Sequence, residues 1–285
     1  MRSKLFVPAS RPDLFAKAAA GPADALSFDL EDAVPEARKG EARETLAAYL
    51  REAPSGSGQI VVVRVNAPGT AHFAADLEAV ALPRTDLVNL PMVEEPAAIT
   101  DAAARLDRLD PEGRIRLLVN IETPRSLRRA ADLACAHPRV AGLQIGYADL
   151  LEPCGIDRDD APALAQIRVA VRLAAAEARV PAYDGAFAAV KEPEAFRAEC
   201  EAARRHGFAG KTCIHPSQVG IANAAFLPRP DEVEWSRRIL AAAAEAETRG
   251  LGAILVDGRM IDPPFLARAR AVVALSDLHA GTQAR

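Results

Sequence analysis

The chain has too few cysteines, in the wrong places, to be held by them. Cys135, Cys154, Cys200 and Cys213 make no CxxC pair and no zinc-ligand spacing, which excludes a disulfide framework and a zinc centre. In a chain of 285 residues they read as reduced, mostly buried thiols. There is no basic block or stripe, and the net charge is −4 with a pI near 5.8, which argues against nucleic acid or an anionic membrane as partner. No run approaches the roughly 18 apolar residues of a membrane span. The opening MRSKLFVPAS is basic, but its apolar run is too short for a secretory signal, so a cytoplasmic protein is expected. No GxGxxG follows the first strand-like run, which removes the usual sign of dinucleotide binding. Lysine is scarce, with only Lys4, Lys17, Lys39, Lys191 and Lys211 present. A Schiff-base aldolase needs a lysine inside its site; Lys4 is expected at the wrong end of its strand, and Lys211 early in the last one.

What is present is an alternation. Eight strand-like runs occur in order: 3–8, 24–31, 60–66, 86–93, 116–122, 140–147, 180–187 and 209–216. Most are nearly continuous apolar stretches, as expected of parallel strands covered on both faces. Helical patterns lie between them at 12–20, 36–52, 70–81, 95–109, 124–136, 160–179 and 192–206. Thr123-Pro124 and Glu192-Pro193 read as helix starts, and Gly207 as a stop. Strands alternating with helices predict a closed (β/α)₈ TIM barrel over residues 1–228, with an open doubly wound sheet as runner-up. Two further helices, at 230–248 and 263–278, predict a C-terminal helical extension over 229–285. It is expected to pack on a neighbouring subunit or cap the barrel. The GSG at 56–58 reads as a loop.

In such a barrel the chemistry collects at the C-terminal ends of the strands. Those ends carry Arg11, then Asp29, Glu31 and Asp32, then Arg64 and Asn66, then Glu122, Asp149, Asp184 and His215. Carboxylates converging from separate strands repel unless a cation or protons sit among them. Hard oxygen ligands without a Cys/His cluster favour Mg²⁺ or Mn²⁺. Each residue also has a plainer reading: Asp149 as a helix cap, Arg64 as a buried ion-pair arginine, His215 as a turn residue before Pro216, Asp184 as structural. The coincidence of Arg64, Glu122 and Asp149 at one rim favours function.

The ordered motifs LFVPASRP (5–12), LSFDLEDAV (26–34) with Lys39 and Arg43 beyond it, VVRVN (62–66), NIETP (120–124), GLQIGYADL (142–150), GFAGKTCIHPSQV (207–219) and GRMIDPP (258–264) span nearly the whole chain. Together they resemble the citrate lyase β-subunit and acyl-CoA lyase branch of the HpcH/HpaI aldolase superfamily. The resemblance implies a trimer or dimer of trimers that uses Mg²⁺ to cleave a citryl-, malyl- or citramalyl-CoA thioester to an acetyl thioester and a 2-oxo acid. It implies Glu122 and Asp149 as metal ligands, with Glu31 and Asp32 on metal-bound waters. Arg64 would contact the thioester or oxo-acid oxygens. Arg11 would help hold the CoA or acyl chain, His215 would shape the cofactor side, and Asp262 would act as acid/base in a neighbouring subunit. The alternatives it leaves are a malyl-CoA thioesterase and a β-subunit served by a carrier protein. Two departures stand out: Ala9 occupies the place of the glycine in the family's FVPG, and GYADL differs before its aspartate.

Overall fold

The computed structural model describes residues 1–52, 58–248 and 254–283. Of the loop expected at 56–58, only Gly58 falls within them. The chain divides into two compact units, Met1–Phe226 and Leu227–Arg285.

The first unit is a closed eight-stranded parallel barrel in sequence order, as the (β/α)₈ reading expects. Its strands are β1 (Ser3–Pro8), β2 (Ala25–Asp29), β3 (Ile60–Arg64), β4 (Leu87–Leu90), β5 (Arg116–Ile121), β6 (Val140–Ile145), β7 (Ala182–Asp184) and β8 (Gly210–Cys213). Closure comes from β8 on β1, where Ser3 pairs with Lys211 and Leu5 with Cys213. Alternate side chains of each strand point inward. Ala25, Val62 and Leu118 share an apolar layer inside the barrel, with Leu87 packed against it. Two residues further along each strand the inward positions turn polar: Ser27, Arg64, Asn89 and Asn120. One step beyond come Asp29 and Glu122. Polarity therefore climbs toward the strand ends.

The opposite faces bury the helices. These are α1 (Phe15–Ala19), α2 (Lys39–Glu52), α3 (Phe73–Val80), α4 (Pro96–Leu109), α5 (Pro124–Arg128), α6 (Ala130–Ala134), α7 (Tyr147–Leu151), α8 (Ala161–Glu177), α9 (Pro193–Arg205) and α10 (Pro216–Ala225). The single helix expected at 124–136 is two, because Arg129 leaves helical geometry at φ −108°, ψ 14°. Its start is as expected, with Thr123 and Ser126 in a reciprocal capping box. Two helices, α7 and α10, have no counterpart in the expected pattern. α7 is a single turn, and α10 (PSQVGIANAA) is too small-residue-rich to show an apolar stripe. The thiols also differ from expectation: Cys200 and Cys213 are buried, but Cys135 and Cys154 are exposed.

The second unit holds α11 (Pro230–Thr248), a hairpin of β9 (Ile254–Val256) and β10 (Arg259–Ile261), and α12 (Pro263–Gln283). The hairpin was not expected, since three-residue strands carry almost no period. Its turn is Asp257-Gly258, with φ of 48° and 76°, the left-handed pair that a two-residue hairpin requires. No helix among the described residues is long and apolar enough to cross a membrane.

Candidate active site

A cavity of 560 Å³ opens at the C-terminal ends of the strands. Its border includes Asp32, Arg64, Glu122 and Asp149, together with Asn120, Gln144, Tyr147, Arg158 and Thr212.

Glu122 follows β5 and is almost fully buried. Its Oε1 accepts the backbone N–H of Met92 at 2.5 Å, and its Oε2 accepts Asn120 Nδ2 at 2.8 Å. Met92 reaches it from a left-handed backbone, φ 53°, so the loop after β4 is bent toward the carboxylate. The space for Glu122 exists because position 146 is glycine. A Cβ there would lie 2.6 Å from Glu122 Cβ. Gly146 is also the N-cap of α7, whose first turn carries Asp149 into the cavity; no side chain caps that turn. Burial raises the Glu122 carboxyl above its usual range, with the charge of Asp149 adding to the shift. Burial likewise raises Asp149, helped by Asp32.

Arg64 ends β3 and is gripped from one side. Asp29 takes Nε at 2.7 Å and Nη2 at 2.6 Å in a bidentate pair. Asp29 also accepts the backbone N–H groups of Glu31 and Ala33, so one buried carboxylate fixes both the guanidinium and the loop after β2. Nη1 remains, facing Glu31 Oε2 at 2.6 Å and Asp32 Oδ2 at 3.2 Å. The Glu31 contact lacks hydrogen-bond geometry. Burial pushes the Glu31 carboxyl up to about 8, although the Arg64 guanidinium opposes the shift. Arg64 is therefore an ion-pair arginine, as the plainer reading has it, and it also borders the cavity.

Several expected site residues lie elsewhere. Arg11 is captured by Asp13 two residues on, at 2.9 and 2.7 Å, and both are exposed on the loop after β1. It is not at the cavity border, so the anticipated hold on an acyl chain has no geometric support. His215 caps α10, its Nδ1 accepting the Ser217 N–H at 3.2 Å, and it lies outside the cavity border. Asn66 is tied to Asp76 and Lys39. Asp184 is buried among Tyr147, Arg168 and Lys211, which holds its carboxyl down at about 2 despite burial. Asp262 lies in the second unit, exposed between β10 and α12. Lys4 lies near the start of β1, the end away from the cavity, as expected, and its side chain runs into the barrel, fully buried, with Nζ 3.4 Å from Asn89 Oδ1. Period two decides this, since Lys4 shares a face with Phe6 at the cavity border.

Sequence reasoning passed over Asp29's grip on Arg64, Gly146, Asn120, Gln144 and Arg158. The first four sit inside quoted motifs, where inward alternation marks them. Arg158 lies in a loop with no such signal; it covers the Tyr147 ring at 4.4 Å and holds Glu199 with both Nη atoms.

Hard oxygen donors fit a hard divalent cation, and the buried Glu122 and exposed Asp149, both with raised proton affinity, are a site short of positive charge. Among the described residues no three Asp, Glu, His or Cys side chains close into a cage.

The HpcH/HpaI aldolase/citrate lyase family matches residues 2–216. The chain is 39% identical to a (3S)-malyl-CoA thioesterase of Cereibacter sphaeroides, over 99% of this chain and 97% of that one. It is 31% identical to the citrate lyase subunit beta of Escherichia coli, over 97% and 93%. The structure of the protein CitE from Mycobacterium tuberculosis in complex with magnesium, acetoacetate and coenzyme A superposes with a TM-score of 0.78 at 34% identity, covering 97% of this chain and all of that one.

Proposed function

Because the chain belongs to the HpcH/HpaI aldolase/citrate lyase family, we propose that it is a carbon–carbon lyase. Its substrate would be a 2-hydroxy-acid thioester of the malyl, citramalyl or citryl kind, cleaved to an acetyl thioester and a 2-oxo acid. The observation that carries this reading is the meeting of Glu122, Asp149 and the Arg64 guanidinium at one cavity. Glu122 and Asp149 would hold Mg²⁺, or Mn²⁺ in its place, with Glu31 and Asp32 on its waters. The magnesium in the similar CitE structure supports that assignment. The bound ion would supply Lewis-acid polarisation of the substrate's carboxylate and hydroxyl oxygens.

In the cleavage the substrate hydroxyl would lose its proton to water in the open cavity and become the oxo group. The bond between the hydroxyl carbon and the thioester α-carbon breaks, and its electron pair leaves as the thioester enolate. Arg64 would balance the enolate charge through Nη1, the nitrogen not committed to Asp29. Nη1 faces Glu31 and Asp32, and their turning to the metal-bound waters would release it to substrate. A neighbouring chain's Asp262 would deliver the proton to the enolate carbon. Trimers or dimers of trimers would bring it there, and exposed Leu255, Met260 and Phe265 around it support burial against another copy.

The name of the 39% identical relative favours a second reading, thioester hydrolysis, in which water attacks the thioester carbonyl and coenzyme A leaves as the thiol. Mass spectrometry of malyl-, citramalyl- and citryl-CoA reactions with and without Mg²⁺ separates the two. The lyase reading expects acetyl-CoA and a 2-oxo acid in equal amounts, and neither after chelation. Free malate and coenzyme A as sole products would establish hydrolysis instead.

A further inference from the structure

Asn89 is fully buried inside the barrel and lies off the cavity border, yet it stands two hydrogen bonds from Glu122. Its Nδ2 reaches two oxygens. One is the Leu118 carbonyl at 3.0 Å, which only accepts, so this end of the Asn89 amide is the nitrogen. The other is Asn120 Oδ1 at 2.7 Å, which must be oxygen because it faces that nitrogen. Asn120 Nδ2 is thereby turned to Glu122 Oε2 at 2.8 Å. Gln144 Nε2 supports the same orientation, donating to Asn120 Oδ1 at 3.1 Å. Lys4 closes the far end, with Nζ 3.4 Å from Asn89 Oδ1. Amide orientation is ordinarily a matter of assignment; here the carbonyl fixes it. The donors run one way along the row, from Lys4 through Asn89 and Asn120 to the carboxylate.

The amides are not needed to fill the barrel. Replacing both members of a buried hydrogen-bonded pair by apolar groups of the same shape can be close to neutral. What apolar side chains cannot supply is a donor aimed at Glu122. That carboxylate takes one protein donor on each oxygen, the Met92 N–H on Oε1 and Asn120 on Oε2. Each oxygen keeps a further lone-pair site for a cation. Of the two donors, only Asn120 owes its direction to other side chains.

We infer that Asn89 is a positioning residue for the metal site, acting through Asn120 on the orientation of the Glu122 carboxylate. The inference rests on the reading of Glu122 as a metal ligand, and it adds a residue that touches neither the ion nor the cavity. Partners that orient a metal ligand govern affinity by about 10–100-fold. Asn89 stands one step further back, and its leverage is the direction of one amide. An acceptor in its place would reverse the row. Asn120 would turn its nitrogen toward position 89 and its Oδ1 toward Glu122 Oε2, where two acceptors repel. Gln144 can turn with it, because its Oε1 has no hydrogen-bond partner to lose.

Asn89→Asp makes that change at nearly constant shape. The test titrates the full-length, metal-free protein with Mn²⁺, followed by electron paramagnetic resonance, beside thermal unfolding. Lys4, which makes no salt bridge among the described residues, would gain a carboxylate within reach, so the melting temperature should hold within a few degrees. Mn²⁺ affinity should nevertheless fall about tenfold. Asn120→Ala should lose at least as much, and adding Asn89→Asp to it should cost nothing more, since Asn89 works only through Asn120. A purely structural Asn89 would instead lower the melting temperature and leave the affinity alone. Unchanged affinity in Asn89→Asp, or losses that add in the double variant, would overturn the inference and leave the metal site standing. Should the aspartate variant fail to fold, Asn89→Leu removes the donor without adding charge; its affinity should fall in the same direction, and an unchanged value overturns the inference equally. Absence of a tight Mn²⁺ site in the unmodified protein is a different failure, which takes down the metal reading and this inference with it.

Discussion

Glu122 depends on a missing side chain. Gly146 adopts an ordinary negative φ, so its requirement is for space and not for backbone freedom. Gly146→Ala should leave the barrel folded, with thermal unfolding shifted by a few degrees, yet weaken Mg²⁺ binding about tenfold or more by displacing the carboxylate; calorimetry of the variant checks both. Proton linkage gives a second expectation at this scale. Glu31 moves from 4.5 in the unfolded chain to about 8 in the folded one. The folded, metal-free protein thus holds a proton that the unfolded chain has already lost, and its stability should decline as pH rises from 4.5 to 8. Mg²⁺ needs its carboxylates deprotonated, so its apparent affinity should fall on acidification over the same interval. Melting curves at pH 5 and 8, each with and without Mg²⁺, should show the metal stabilising far more at pH 8. The rim carboxylates were legible because strand ends can be counted. The facing of Lys4 was left open, since one residue of alternation sends a side chain into the barrel or out of it. The pairing of Arg11 with Asp13 is a local matter: Asp13 is close enough in sequence to take the guanidinium.

At the scale of elements, strands read more clearly than helices. The run IVVVR has one interpretation, because a parallel strand covered on both faces must be apolar throughout. Helix α10 had no apolar stripe to find, and the break at Arg129 interrupts a pattern that stays periodic across it. The hairpin of the second unit did leave a sign, Asp257-Gly258 between two short apolar stretches, which matters more than strand length there. Attachment of the first two helices to the barrel is concentrated in one aromatic cluster. Phe28 of β2 meets Phe15 of α1 with ring centroids 5.0 Å apart and Tyr49 of α2 at 5.6 Å. Phe28 is fully buried. Phe28→Ala should cost about 3–5 kcal/mol of unfolding free energy, measured by chemical denaturation. The loop carrying Glu31 and Asp32 joins β2 to α2, so Mg²⁺ affinity should fall in the same variant.

For the whole molecule, the proposed division of labour between chains has a distinct signature. Arg64→Ala and Asp262→Ala should each remove most turnover. Mixed oligomers of the two variants should recover part of it if Asp262 serves a neighbour's cavity, since some sites then pair an intact Arg64 with an intact Asp262. Activity that never exceeds the sum of the separate variants would place the aspartate's work within its own chain, or nowhere near the reaction. Everything else rests on one ion at one rim. Titration of the metal-free protein with Mn²⁺, followed by electron paramagnetic resonance, measures that directly. One tight site per chain is expected, absent from Glu122→Gln and from Asp149→Asn but retained in Arg11→Ala and His215→Ala. A tight site that persists when both carboxylates are replaced would contradict the account.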